Sequence, residues 1–115
     1  MSNSPLPLRN PIRDMSIEYN DNRASMHCSQ QGKCAVTGKI IEIGRIHCHH
    51  KTAKYLGGND RYANLTLIDI DVHVLIHATK EETINKYLAL FQLDKKQLAK
   101  INKLRNLLNL IEILQ

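Results

Sequence analysis

Two histidine pairs at different spacings most constrain what this chain can fold into: His49 beside His50, and His73-x-x-x-His77. A four-residue step returns a side chain to the same face of a helix, whereas adjacent residues suit a strand or its end. Between the pairs lies the run Gly57-Gly58-Asn59-Asp60, which permits backbone angles that other residues resist, followed by Asn64 and the apolar Leu65-Thr66-Leu67-Ile68. The order is therefore strand, glycine loop, strand, helix. With 115 residues there is room for one small domain, and one Phe, four Tyr and no Trp require a core built from Ile, Leu and Val.

Other segments fill in around that centre. Residues 1–25 hold all three prolines together with Arg9, Arg13 and Arg23, and read as a basic, extended arm. A short helix is expected from Ser25 to Gln31, closed by Gly32, then a turn from Lys33 to Gly38. Ile46-His47-Cys48-His49-His50 has strand character, and Asp69 or Asp71 can cap the helix that carries His73 and His77. Thr79 with Glu82 suggests a capping box for a helix bearing Ile84, Tyr87, Leu88 and Phe91. Asp94 with Gln97 suggests a second, and Leu93 with Leu98 a hydrophobic staple. Leu98, Ile101, Leu104, Leu108 and Ile111 then form a helical stripe, a core or docking face, while Lys95, Lys96, Lys100, Lys103 and Arg105 read as a solvated face or a DNA-backbone contact. The expected division is an arm over 1–25, a central domain over 26–92, and an amphipathic helix over 93–115 that packs on that domain or on a partner.

Charge and cysteine content narrow the setting. A formal charge of +5 favours a polyanionic partner. Three cysteines, an odd number, exclude a complete disulfide framework and point to a reducing cytoplasm. No apolar run approaches the length of a membrane span, so an intracellular, cytoplasmic chain is expected, with a nucleoid-associated or organellar setting as the alternative and no membrane partner.

The histidines carry the chemistry. His73 and His77 suit two metal ligands from one helix face, or a pair of surface or core histidines; His49 would supply a third ligand from the strand. Three imidazoles on one divalent ion leave positions open for water and phosphate oxygens. Nitrogen ligands favour zinc, nickel, cobalt or manganese over magnesium, although affinity does not fix which ion is used. His50 would be the general base, since an imidazole with its ordinary pKa of about 6.5 is largely neutral at neutral pH; a fourth ligand or a structural donor are its other readings. Adjacent strand residues face opposite ways, so a bend or strand end is needed for His49 to bind metal while His50 reaches water. Asn64 can brace the glycine loop through backbone bonds, or do ordinary turn chemistry.

The sequence of His49-His50, Gly57-Gly58, Asn64-Leu65, His73 and His77 resembles the HNH endonuclease family. Further stretches narrow the likeness: Gly32-Lys33-Cys34-Ala35-Val36-Thr37-Gly38, Ile46 to Lys51, Leu56-Gly57-Gly58, and Asp71-Val72-His73 through Leu75-Ile76-His77-Ala78-Thr79. Together with Asn10-Pro11-Ile12-Arg13-Asp14 and Tyr19-Asn20-Asp21-Asn22-Arg23, they are similar to the C-terminal endonuclease domain of group II intron reverse transcriptase/maturase proteins. The resemblance implies an α+β fold of the ββα-metal (His-Me finger) type, here with additional C-terminal helices. It implies one divalent ion (Mg, Mn, Ni or Zn) on His49, His73 and His77, with His50 as the base and Asn64 as its loop support. The implied reaction is hydrolysis of DNA phosphodiester bonds to a 5′-phosphate and a 3′-hydroxyl, one strand at a time. Implied partners are DNA, and intron RNA or a separate reverse transcriptase chain.

Lys51, Lys54 and Arg61 stand beside the active loop and can contact phosphates or remain solvated charges. Departures from the family pattern are informative. Many relatives hold a structural zinc with two Cys-x-x-Cys pairs, but Cys34 is followed by Ala35-Val36-Thr37. No structural zinc on Cys28, Cys34, Cys48 and His47 is therefore expected, and buried free thiols are. Ala53 replaces a frequent proline, and the reverse transcriptase region is not in this sequence. A non-catalytic DNA- or RNA-binding module derived from a maturase is the alternative to a nuclease.

Overall fold

The computed structural model describes residue 12 and residues 15–114, and among these the chain is α+β, with four α-helices and one two-stranded antiparallel sheet. The first helix, α1 (Ile17–Ser29), starts where Ser16 caps it by accepting a hydrogen bond from the Tyr19 amide at 2.9 Å. Tyr19, Arg23 and Met26, spaced four and three apart, form its buried face. This corrects two expectations. The arm over 1–25 is helical from Ile17, and the helix expected at Ser25 begins eight residues earlier. Asn20, Asp21 and Asn22 are weak helix formers and mask the pattern; the cap and the packed face override them. Arg9 and Arg13 lie outside the described residues.

Strand β1 (Ile46–His50) pairs with β2 (Leu65–Asp69), His49 opposite Thr66 and His50 opposite Leu65. Leu65 and Leu67 pack with Tyr19 and Met26 of α1, while Ile68 joins the larger core on the other side. The outer edge of β2 is covered: the Gln30 amide donates to Leu67 O at 3.0 Å and accepts from Leu67 N at 3.1 Å. With the Ala35 amide, which also donates to Leu67 O at 3.1 Å, this side chain does what a third strand would do and protects the edge.

Asp69 ends β2 and caps α2 (Ile70–His77) through the Asp71 amide. Arg45 reaches both Asp69 and Asp71, at 2.9 and 2.6 Å, and pins the strand-to-helix corner. Val72, Leu75 and Ile76 are buried from α2, and Ile101, Leu104 and Leu108 meet them from α4 (Lys95–Leu107) and its end. Each such aliphatic side chain contributes about 1.5–3 kcal/mol on burial. Through Leu93, Ile101, Leu104, Leu108 and Ile113 the described part of this segment packs on its own domain. Asp94 and Gln97 form the expected capping box, and Leu93 is buried beside it.

Three expectations are corrected here. Helix α3 (Glu81–Phe91) has Lys80 at its cap position with no side-chain bond, so Thr79 and Glu82 form no capping box. Ile111 is exposed because α4 stops at Leu107, four residues before it. Arg105 is not on a solvated face: it is 3% exposed. Its guanidinium donates to the carbonyls of Leu75, Ile76 and Ala78 at 3.0, 3.2 and 2.7 Å, closing the C-terminal end of α2. Among the described residues no helix is long and apolar enough to cross a membrane.

Candidate metal centre

The histidines of β1 divide between the two faces of the hairpin. His47 and His49, two apart on a strand, turn toward α2, where His73 and His77 stand one helical turn apart. Ring centroids are separated by 5.2 Å for His49–His73, 5.3 Å for His49–His77 and 4.5 Å for His73–His77. One nitrogen from each of these three rings lies within 4.8 Å of the others, and the group could hold a metal ion.

Two observations test that fit. His49 is 2% exposed, and its buried Nε2 has no hydrogen-bond partner in the protein. A buried imidazole nitrogen without a partner is costly unless something else occupies its lone pair. The rings are also held neutral, the form that ligates. Burial first, then the neighbouring His73 and His77, pushes His49 down to about 3. Burial, followed by His77 and His47, lowers His73 to about 4. His77 is lowered by burial and by the Arg105 guanidinium. The donor set is compatible with one metal ion. It opens on a pocket of about 420 Å³ lined by His73, His77, Thr79, Lys80 and Thr83.

His50 goes the other way. It is the last residue of β1, its ring stacks on Tyr19 at 5.4 Å with a 14° tilt, and its Nε2 lies 2.8 Å from Asp60 Oδ1. The strand end is present as anticipated, yet His49 and His50 remain on opposite faces, as ideal strand alternation dictates. Asn64 bridges the loop that follows. Its Oδ1 accepts from the Thr52 amide at 2.9 Å, while its Nδ2 donates to Thr52 O at 3.0 Å and Asn59 O at 2.8 Å. The glycines serve that closure. Gly57 takes a φ of 94°, and a Cβ on Gly58 would strike the Thr52 carbonyl.

The basic residues scatter. Lys54 Nζ lies 3.1 Å from the Asp60 carboxylate, and Arg61 is exposed at the loop rim. Lys51 shares a second cavity, about 190 Å³, with Thr66, Lys100 and Lys103. The cysteines are free, but only Cys34 is buried; Cys28 is exposed on the last turn of α1, against the expectation of buried thiols.

Two groups escaped the sequence reading. His47 Nδ1 sits 3.0 Å from His73 Nδ1, so one of the two rings donates and the other accepts. Strand alternation from His49 could have found it. Asp60 is ten residues from its partner His50, inside a run that reads as turn chemistry, and no periodic signal marks it. Compared with family models, curated proteins and solved structures, the chain gives no match.

Proposed function

We propose that this domain is a metal-dependent DNA endonuclease of the HNH, ββα-metal type, akin to the endonuclease domain of group II intron maturases. The observation that carries the reading is the pairing of two different imidazole settings on one strand end. One is a three-histidine group with an orphaned, neutral nitrogen; the other is a single histidine backed by a carboxylate. His49, His73 and His77 would hold the ion, which would supply charge neutralisation at a phosphate and at the leaving 3′-oxygen. His50 takes the proton from the attacking water, and Asn64 keeps the loop beside it closed. Lys51, Lys54 and Arg61 attract the DNA backbone around that loop. Magnesium, manganese, nickel and zinc are the candidate ions. Intron RNA or a separate reverse transcriptase chain are the further partners, in an intracellular setting.

A second reading is favoured by one feature. His50 and His49 face opposite sides of the hairpin, and a module that only binds DNA or RNA has no need for them to converge. Nicking of supercoiled plasmid separates the two. Wild-type protein with each of the four ions is expected to convert supercoiled to open-circular DNA, and His50→Ala to lose that activity while still binding DNA. DNA binding without nicking in any of the four metals would replace the nuclease with the binding module.

A further inference from the structure

We infer that Asp60 is the positioning residue of His50, holding the imidazole protonated at Nε2 so that Nδ1 is the atom that accepts a proton. The inference rests on the nuclease reading for its chemical purpose, while its geometry stands apart from it. Asp60 is 8% exposed, and three separate segments converge on its carboxylate. His50 Nε2 approaches at 2.8 Å, the Ser16 hydroxyl donates to Oδ2 at 2.6 Å, and Lys54 Nζ lies at 3.1 Å. Its backbone carbonyl is bonded as well, by Asn22 Nδ2 at 2.9 Å. Nothing in this arrangement resembles a solvated loop charge.

The proton on the His50–Asp60 contact can then be assigned. Ser16, then His50 and Lys54, stabilise the Asp60 carboxylate and hold it down to about 2, so it is ionised at neutral pH. An ionised carboxylate only accepts, and Nε2 must carry the hydrogen. Tyr19, stacked on the same ring, fixes its plane. Ser16 has two tasks at once, since the hydroxyl that donates to Asp60 also accepts from the Tyr19 amide to start α1. Helix α1 thus supplies the stacking ring, and its cap residue Ser16 the support of the carboxylate.

Nitrogen-resolved NMR of the His50 ring in the whole, metal-free chain tests this directly. At a pH where the ring is neutral, wild type should show its proton on Nε2, protected from exchange, and Asp60→Ala should lose that protection and mix the tautomers. In nicking assays Asp60→Ala should lower kcat by about 100-fold, within the range a general base contributes, with KM and metal affinity unchanged. Asp60→Asn keeps the shape but brings an amide nitrogen that can donate to the ring, so it should move the proton to Nδ1 and lower kcat at least as far as Asp60→Ala. If Asp60→Ala fails to fold, the wild-type spectrum and the Asp60→Asn protein still decide. A neutral wild-type ring whose single proton sits on Nδ1, or an Asp60→Ala spectrum identical to wild type, overturns the inference. Absence of nicking by wild type with the Nε2–H intact would remove the nuclease and leave the positioning role standing.

Discussion

The two faces of one five-residue strand, β1, treat the same side chain in opposite ways. Toward α2, His47 and His49 meet His73 and His77, and the rings crowd each other in a desolvated space where His49 Nε2 has no protein partner. Toward α1, His50 is stacked on a tyrosine and satisfied by a carboxylate. Like groups packed together push each other toward neutrality, which prepares lone pairs. A carboxylate beside an imidazole instead fixes where its proton sits. Strand alternation alone sorts adjacent residues into these two environments.

The largest expected effect comes from removing that distinction at its deepest point. His49→Ala should lower affinity for zinc or nickel by more than about 100-fold, the upper size of effect seen when only an outer-shell partner is lost. His50→Ala should leave that affinity within experimental error. Calorimetric titration of both variants checks the contrast. Equal losses would mean that His50 is itself a ligand and that the two faces form one site.

A smaller effect concerns pH. His49 and His73 have folded-state values near 3 and 4 against 6.5 for an unperturbed histidine. Between those values the unfolded chain binds protons that the folded chain does not, so stability falls as pH falls through that window. Above it, both states are neutral at these positions and no penalty arises. Thermal melts of metal-free protein should be flat from pH 8 to 7 and decline below about 6.5, the unperturbed histidine pKa. His49→Gln should flatten the decline. A melting temperature unchanged from pH 7 to 5 would show that these rings are not desolvated.

Much of this centre was legible because its signals are local. The i, i+4 step of His73 and His77 needs only a helix, and the Asp94–Gln97 capping box closes within four residues. What stayed hidden depends on residues far apart in the chain. Asp60 is defined by Ser16, 44 positions away, and Arg105 by carbonyls 27 to 30 positions away at the end of α2. A lone aspartate in a glycine turn and an arginine among lysines both look solvated until the elements that bury them are in place. The helix α1 was missed for a related reason: its apolar face is short, and Asn20, Asp21 and Asn22 weaken the pattern that marks it.

The smallest effect should come from Asn64, and it is the sharpest test of whether the faces are independent. Asn64→Ala deletes three hydrogen bonds to the Thr52 and Asn59 backbone. These groups are only partly buried and regain water, so the cost should be about 1–2 kcal/mol rather than the full loss of three bonds. The same loop carries Asp60, so loosening it should blur the His50–Asp60 contact and reduce nicking. His49, His73 and His77 take their positions from β1 and α2, which Asn64 does not touch through its side chain. Metal affinity should therefore be unchanged while nicking falls. If affinity drops in parallel with nicking, the loop supports both faces together, and the division drawn along the strand does not hold.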